Sequence, residues 1–110
     1  MRKFDFNKPK NTWEVTLPGK DTAVHVRTPS KGLFAEIQQT GARLLSLEKD
    51  GDQFEALGEI YEVVAKALSN NAEGVEVDPD ELVQALSTDD LIDFLTEYSK
   101  FINEVLATKN

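Results

Sequence analysis

The sequence predicts an α+β fold in which an N-terminal β-hairpin precedes a bundle of about four α-helices. Two observations support this fold class. Apolar side chains alternate with polar ones on both sides of a Pro-Gly dipeptide at position 18, as in paired strands. After residue 30 the apolar residues recur at three- and four-residue steps, as in helices. The length of 110 residues suits one domain, 1–110, with the hairpin at 12–28 and the helical part at 30–107.

The hairpin is the first predicted element. Its apolar positions are Trp13, Val15 and Leu17 on the first strand and Val24 and Val26 on the second. Between the strands, Pro18 fixes its own φ and Gly19 can supply the positive φ that a tight turn requires. An isolated hairpin is marginal in water, so its apolar face must be covered by the helices or by a third strand. Phe4 and Phe6 are candidates for that strand or for a partner contact.

Two helices follow the hairpin. Ser30 is a suitable N-cap for the first, which extends towards a break at residues 50–52. Gly41 lies on the apolar face of that helix, where a glycine predicts close approach of another helix. The second helix begins near Gln53 and stops at Ser69, and its stripe contains Phe54, Leu57, Tyr61, Val64 and Leu68.

The connection at 69–77 has no apolar period and is predicted to be an ordinary or mobile loop. After it, Asp78 can cap a short third helix, with Pro79 at the first helical position and Glu81 closing a capping box. Either Ser87 or Thr88 then caps the last helix, which is predicted to run to about residue 107.

The last helix carries an apolar face wider than packing on one small core requires. That face comprises Leu91, Ile92, Phe94, Leu95, Tyr98, Phe101, Ile102, Val105 and Leu106. We therefore predict an interaction protein that forms homo-oligomers and binds a partner through this helix. The residues predicted to contact the partner are Leu91, Phe94, Leu95, Tyr98, Phe101, Ile102 and Val105.

Composition narrows the classes of partner. The net charge of −8 and the pI of about 4.6 disfavour binding to nucleic acid or to an anionic membrane surface. Without cysteine there is no disulfide and no thiolate chemistry. No window approaches the roughly 18 apolar residues that a membrane span needs. A cytoplasmic protein is the expectation.

No catalytic, cofactor-binding or metal-binding site is predicted. His25 is the only histidine, and its polar strand position indicates an ordinary surface or hairpin-packing residue. A twelve-residue loop centred on Gly74 would place Asp80 where calcium needs a bidentate glutamate, which disfavours an EF-hand site. Helical carboxylates such as Glu59 and Glu62 are typical of a solvated face.

The layout of the chain resembles small tail assembly chaperones of tailed phages and prophages of Gram-positive bacteria. The resemblance lies in the opening Lys3-Phe4-Asp5-Phe6, the hairpin Thr12-Trp13-Glu14-Val15-Thr16-Leu17-Pro18-Gly19, the segment Thr28-Pro29-Ser30-Lys31, and an acidic helical remainder with Tyr98-Ser99-Lys100-Phe101-Ile102. It implies a non-enzymatic factor, acting in the host cytoplasm, that coats the helical tape-measure protein and leaves as tail-tube subunits polymerise.

Two other functions fit the same residues. An acidic helical adaptor or regulatory protein would act through homodimerisation of the last helix. An acidic mimic of DNA would inhibit a DNA-binding protein through its net negative charge.

Overall fold

The computed structural model describes residues 11–45 and 53–108 and shows the predicted α+β fold, a two-stranded antiparallel hairpin followed by four helices. Phe4, Phe6 and the predicted break at 50–52 lie outside the described residues. The elements are β1 (Thr12–Thr16), β2 (Ala23–Arg27), α1 (Lys31–Leu45), α2 (Gln53–Ser69), α3 (Pro79–Ala85) and α4 (Thr88–Thr108).

The hairpin has the register that its alternation requires. Trp13 pairs with Val26 and Val15 with Val24, so the apolar side chains of both strands share one face. In the turn, the backbone N–H of Lys20 donates to the carbonyl of Leu17 at 3.2 Å. Gly19 has a φ of 68°, which confirms the positive φ predicted for it.

The second edge of β2 is occupied by the chain that follows α2. Val26 forms an isolated antiparallel bridge with Asn71. The N–H of Arg27 donates to the carbonyl of Asn70 at 2.8 Å, and the N–H of Ala72 donates to the carbonyl of His25 at 2.9 Å. Residues 70–72 therefore pair with β2 on the side opposite β1, which satisfies an edge that would otherwise be open.

The connection at 69–77 was predicted to be an ordinary or mobile loop, and the structure instead shows it tied by side chains. The buried Asn71 amide donates to the carbonyls of Leu68 and Val75, each at 2.8 Å, and its oxygen accepts from the N–H of Val75 at 2.9 Å. The hydroxyl of Ser69 accepts from the N–H of Val77 at 2.9 Å. Polar side chains thus supply the order that apolar periodicity does not reveal.

Side-chain caps begin three of the helices. The predicted cap at Ser30 is confirmed, since its hydroxyl accepts from the N–H of Leu33 at 3.2 Å. The predicted cap at Asp78 is also confirmed, since its carboxylate accepts from the N–H of Asp80 at 3.0 Å. The capping box at Glu81 is wrong, because that carboxylate instead contacts the Lys20 ammonium at 2.9 Å.

A reciprocal capping box does form at the start of α4. The Ser87 hydroxyl accepts from the N–H of Asp90 at 3.2 Å, and the Asp90 carboxylate accepts from the N–H of Ser87 at 2.9 Å. Of the two residues proposed from the sequence, Ser87 is therefore the cap.

Helix α2 is the centre of the core and packs against α1, α3, α4 and β2. Its buried side chains are Ile60, Tyr61, Val63, Val64, Ala65, Ala67 and Leu68. Two exposed ion pairs, Glu36 with Lys66 at 2.9 Å and Arg43 with Glu59, link α1 to α2. Such pairs add little stability, but they mark the side of α1 that faces α2.

Candidate partner-binding surface

Helix α4 carries two parallel rows of side chains that differ in burial, the first apolar throughout and the second apolar except for Ser99. The inner seam consists of Leu91, Phe94, Tyr98, Phe101 and Val105, and the outer seam of Ile92, Leu95, Ser99, Ile102 and Leu106. Both follow alternating three- and four-residue steps and start one residue apart, which corresponds to a rotation of about 100° around the helix. The width of the apolar face predicted from the sequence is the sum of these two seams.

The inner seam is used inside the protein. Leu91, Tyr98 and Phe101 are buried, and Phe94 and Val105 are half-buried against the core. Trp13 of β1 covers this seam, because its ring centroid lies 5.4 Å from that of Phe94, 6.1 Å from Tyr98 and 6.0 Å from Phe101. The hairpin is thus the intramolecular partner of this side of α4.

Much of the predicted partner site is buried inside the protein. Of its seven residues, Leu91, Tyr98, Phe101 and Ile102 are buried within the same molecule. The hairpin and the helices already cover these four side chains, so the width of the apolar face does not by itself require a partner at them. Leu95 and Val105 remain half-buried, as does Phe94. Partner binding through α4 stays a prediction.

The hydroxyl of Tyr98 is buried without a hydrogen-bond partner among the described residues, and burial raises the pKa of Tyr98. The Tyr61 hydroxyl, by contrast, donates to the carbonyl of Leu86 at 2.6 Å. We expect Tyr98→Phe to raise the free energy of unfolding by about 1 kcal/mol, because it removes a desolvated, unpaired hydroxyl. Tyr61→Phe should lower it by about 1 kcal/mol. Urea unfolding of both variants tests the expected opposite signs, and equal losses would contradict the assignment.

The outer seam is only partly covered. Ile92 and Leu106, near its two ends, are 43% and 59% exposed, whereas Ile102 is buried and Leu95 half-buried. The predicted partner site contains Leu95 and Ile102 but omits Ile92 and Leu106. The outer seam can be found in the sequence as a row shifted by one residue from the inner seam. Only the burial seen in the structure shows which of the two rows is covered.

A groove runs between α1 and α4 along this outer seam. Its volume is about 280 Å³. The α1–α4 groove is lined by Phe34, Ile37, Gln38 and Gly41 from α1 and by Leu95, Ser99, Ile102 and Asn103 from α4. Apolar side chains from both helices therefore face the same space, with three polar side chains among them.

Gly41 does not bring two helices into close contact. A Cβ added at Gly41 would meet no atom within 4 Å among the described residues, so the predicted close packing is wrong. The physical reason is that Gly41 lines the α1–α4 groove rather than a helix contact. Its missing side chain widens the groove.

The solvent side of α4 is acidic. Five exposed carboxylates, Asp89, Asp90, Asp93, Glu97 and Glu104, lie on this helix together with one exposed lysine, Lys100, which leaves a net charge of −4. Lys100 lies 3.7 Å from Glu97, so its charge is partly offset by a neighbour. At about 100° per residue, most of these carboxylates lie on the side of α4 turned away from the groove-lining Leu95, Ser99 and Ile102.

A larger, more open cleft lies beside α2. Its volume is about 520 Å³, and its lining includes Glu62, Lys66, Ser69 and Glu76. Lys66 is already paired with Glu36, and the Ser69 hydroxyl is engaged with Val77. Lys66 and Ser69 of this cleft are thus engaged within the protein, which makes it a weaker candidate than the α1–α4 groove.

His25 joins the hairpin to the chain after α2. Its Nδ1 lies 2.5 Å from one carboxylate oxygen of Glu73, and its backbone N–H donates to the other oxygen at 2.8 Å. Nε2 lies 3.6 Å from the carboxylate of Glu14. Among the described residues, no group of three or more His, Cys, Asp or Glu side chains has the arrangement of a metal site. The contacts between His25 and Glu73 indicate a structural link between the hairpin and the chain after α2.

The hydrogen bond and charge of Glu73 raise the pKa of His25 above its usual 6.5, with a smaller contribution from Glu14. The backbone N–H and the ring of His25 lower the pKa of Glu73 below its usual 4.5. The stabilisation from His25 is complete below pH 6.5 and is lost as the pH rises through its folded-state pKa. That from Glu73 is present above pH 4.5 and is lost as the pH falls through its own folded-state pKa.

We therefore expect the pair to stabilise the fold most between pH 4.5 and 6.5. An NMR titration should give a His25 pKa above 6.5 that returns towards 6.5 in Glu73→Gln and changes less in Glu14→Gln. Equal effects of the two variants would refute the dominance of Glu73.

Within residues 11–45 and 53–108, none of the helices has the length and the apolar content needed to span a bilayer. Comparison with known proteins gives no match to any protein-family model, any curated protein or any solved structure.

Proposed function

We propose that this chain is a non-enzymatic tail assembly chaperone that binds the helical tape-measure protein during phage tail morphogenesis. The observation that carries the proposal is the α1–α4 groove, whose apolar side chains come from two helices and whose α4 residues belong to the same seam as the exposed Ile92 and Leu106. A groove of this kind suits an amphipathic helix, and a tape-measure protein is a long helical client.

The negative charge supports the same function. A protein that coats an apolar helical client must keep the complex dispersed, and a net charge of −8 provides mutual repulsion between complexes. The resemblance of the chain's layout to tail assembly chaperones points the same way. Contacts with tail-tube subunits belong to this proposal as well.

Co-expression with the tape-measure protein of the same phage tests the function. We expect this chain to shift the tape-measure protein into the soluble fraction and to co-purify with it. Ile92→Asp combined with Leu106→Asp should abolish both effects without unfolding the chain, because both side chains are largely exposed. Val83→Asp is the matched control, since Val83 is 48% exposed and lies on α3. A tape-measure protein equally soluble without this chain would disprove the proposal.

The exposed Ile92 and Leu106 also suit a second function, that of a homodimeric adaptor which self-associates through α4. Light scattering at high micromolar concentration distinguishes the two. A dimer that becomes monomeric in the Ile92→Asp, Leu106→Asp variant would favour the adaptor. A variant at Phe101 would not be informative, because its side chain is buried in the core.

A further inference from the structure

We propose that His25 and Glu73 form a latch that a change in pH opens and closes at the second edge of β2. While the imidazole of His25 is protonated, residues 72 and 73 stay paired with β2. When the imidazole loses its proton, these two residues separate from the strand and the rest of the fold stays intact. The latch lies outside the α1–α4 groove, so it does not depend on the proposed function.

His25 holds the chain after α2 at three points. Its backbone N–H donates to one carboxylate oxygen of Glu73 at 2.8 Å, and its Nδ1 lies 2.5 Å from the other oxygen. Its carbonyl accepts from the N–H of Ala72 at 2.9 Å. Both backbone groups of His25 therefore point away from β1 and towards residues 72 and 73. A change in the strength of the Glu73 contact acts directly on the pairing of this edge.

The pair can open without exposing the core. The side chains of His25 and Glu73 are 45% and 36% exposed, so water and protons reach both. Gly74, the next residue, has a φ of 72°, a backbone conformation that glycine adopts more readily than any residue with a side chain. On the other side, the buried Asn71 is held by three hydrogen bonds of its own. The moving part is thus confined to residues 72 and 73, between an anchor and a glycine.

Charged groups approach the His25 ring from two neighbouring segments. Within the described part of the chain, Glu73 of the connection lies at Nδ1, and the carboxylate of Glu14 on β1 lies 3.6 Å from Nε2. On β2 itself, Arg27 is two residues away and shares the same face of the strand. A protonated ring faces each carboxylate with an N–H and a positive charge, so both contacts favour the closed latch.

Loss of the proton weakens the latch on both sides of the ring. A neutral imidazole keeps one N–H, so one of its two nitrogens turns a lone pair towards a carboxylate. The remaining contact loses the positive charge of its donor, which weakens it. Because Glu73 raises the pKa of His25 above 6.5, the ring is mostly protonated at pH 6.5, and the latch opens as the pH rises through that raised value. At the acidic end, Glu73 releases the ring when it takes up a proton below pH 4.5.

Hydrogen exchange, read residue by residue by NMR, tests the latch in the full chain. Dividing the intrinsic exchange rate by the observed rate at each pH gives a protection factor that is corrected for base catalysis. Across the pH range over which the His25 ring titrates, we expect the protection factor of the Ala72 amide to fall by about threefold or more. The amides of Arg27 and Val75 should keep theirs, because neither donates to His25 or Glu73. An unchanged Ala72 amide, or parallel losses at all three amides, would overturn the latch.

Three variants separate the titrating ring from its neighbours. His25→Gln keeps the backbone contacts but carries no titratable group, so the protection of the Ala72 amide should no longer change over the same pH range. Glu73→Gln should also remove most of this change. Glu14→Gln is the matched control and should keep it, because Glu14 contributes less than Glu73 to the charge on His25.

All three variants should fold, because the side chains they replace are at least one-third exposed, and circular dichroism verifies this. A pH dependence of the Ala72 amide that survives in folded His25→Gln would refute the latch. Equal effects of Glu73→Gln and Glu14→Gln would refute it as well, since Glu73 would then not be the group that holds the ring.

Discussion

Replacing Trp13 by alanine should lower the free energy of unfolding by about 3 kcal/mol, at the low end for a large aromatic residue because Trp13 is only half-buried. Among the described residues of the hairpin, only Trp13 stacks its ring on Phe94 and Tyr98 of α4. The same indole also packs against Phe101. Its loss would expose the inner seam of α4 to water. Urea unfolding followed by far-UV circular dichroism measures the effect without relying on tryptophan fluorescence.

Trp13→Phe is the matched control for this change. It keeps one aromatic ring against α4 and should recover more than half of the lost stability, because most of the apolar contact is retained. A loss in Trp13→Ala of less than about 1 kcal/mol would show that α4 is held without the hairpin.

Asn71→Ala should destabilise the fold by a comparable amount, about 3 kcal/mol. The substitution removes three hydrogen bonds worth roughly 1 kcal/mol each and leaves the backbone groups of Leu68 and Val75 without that partner. Because the backbone at Asn71 also bridges to Val26, the loss should loosen the second edge of β2. Hydrogen exchange at the amides of Arg27 and Ala72, which donate across that edge, should accelerate.

Asn70→Ala is the matched control for Asn71. The Asn70 side chain makes one exposed hydrogen bond, to the carbonyl of Thr28 at 3.2 Å, so we expect a loss of no more than about 1 kcal/mol. Similar losses in the two variants would mean that burial of Asn71 has no special role.

Local structure followed from local sequence. The period-two alternation around Gly19, the helical spacing after Ser30 and the caps at Ser30 and Asp78 depend on residues within a few positions of one another. Backbone sterics and short-range hydrogen bonds decide such features, so the sequence specifies them without knowledge of the rest of the chain.

The connection after α2 shows where this local reasoning stops. Residues 69–77 have no apolar period, and nothing nearby in the sequence indicates that Asn71 is buried or that Ala72 donates to His25. The same holds for Glu81, whose partner Lys20 is 61 residues away. Contacts between residues far apart in sequence depend on how the elements pack, and no local pattern encodes that packing.

Helix α4 has features of both kinds, some set by the local sequence and some set by the packing of distant elements. The sequence by itself determined that α4 has an apolar face too wide for one row of contacts, and it contained both seams. Only the tertiary structure decided that Trp13 and the core cover the inner seam, while the outer seam borders a groove beside Gly41. The physical reason is that helical period fixes the angle between two rows on one helix, whereas the neighbouring elements determine which row loses its contact with water.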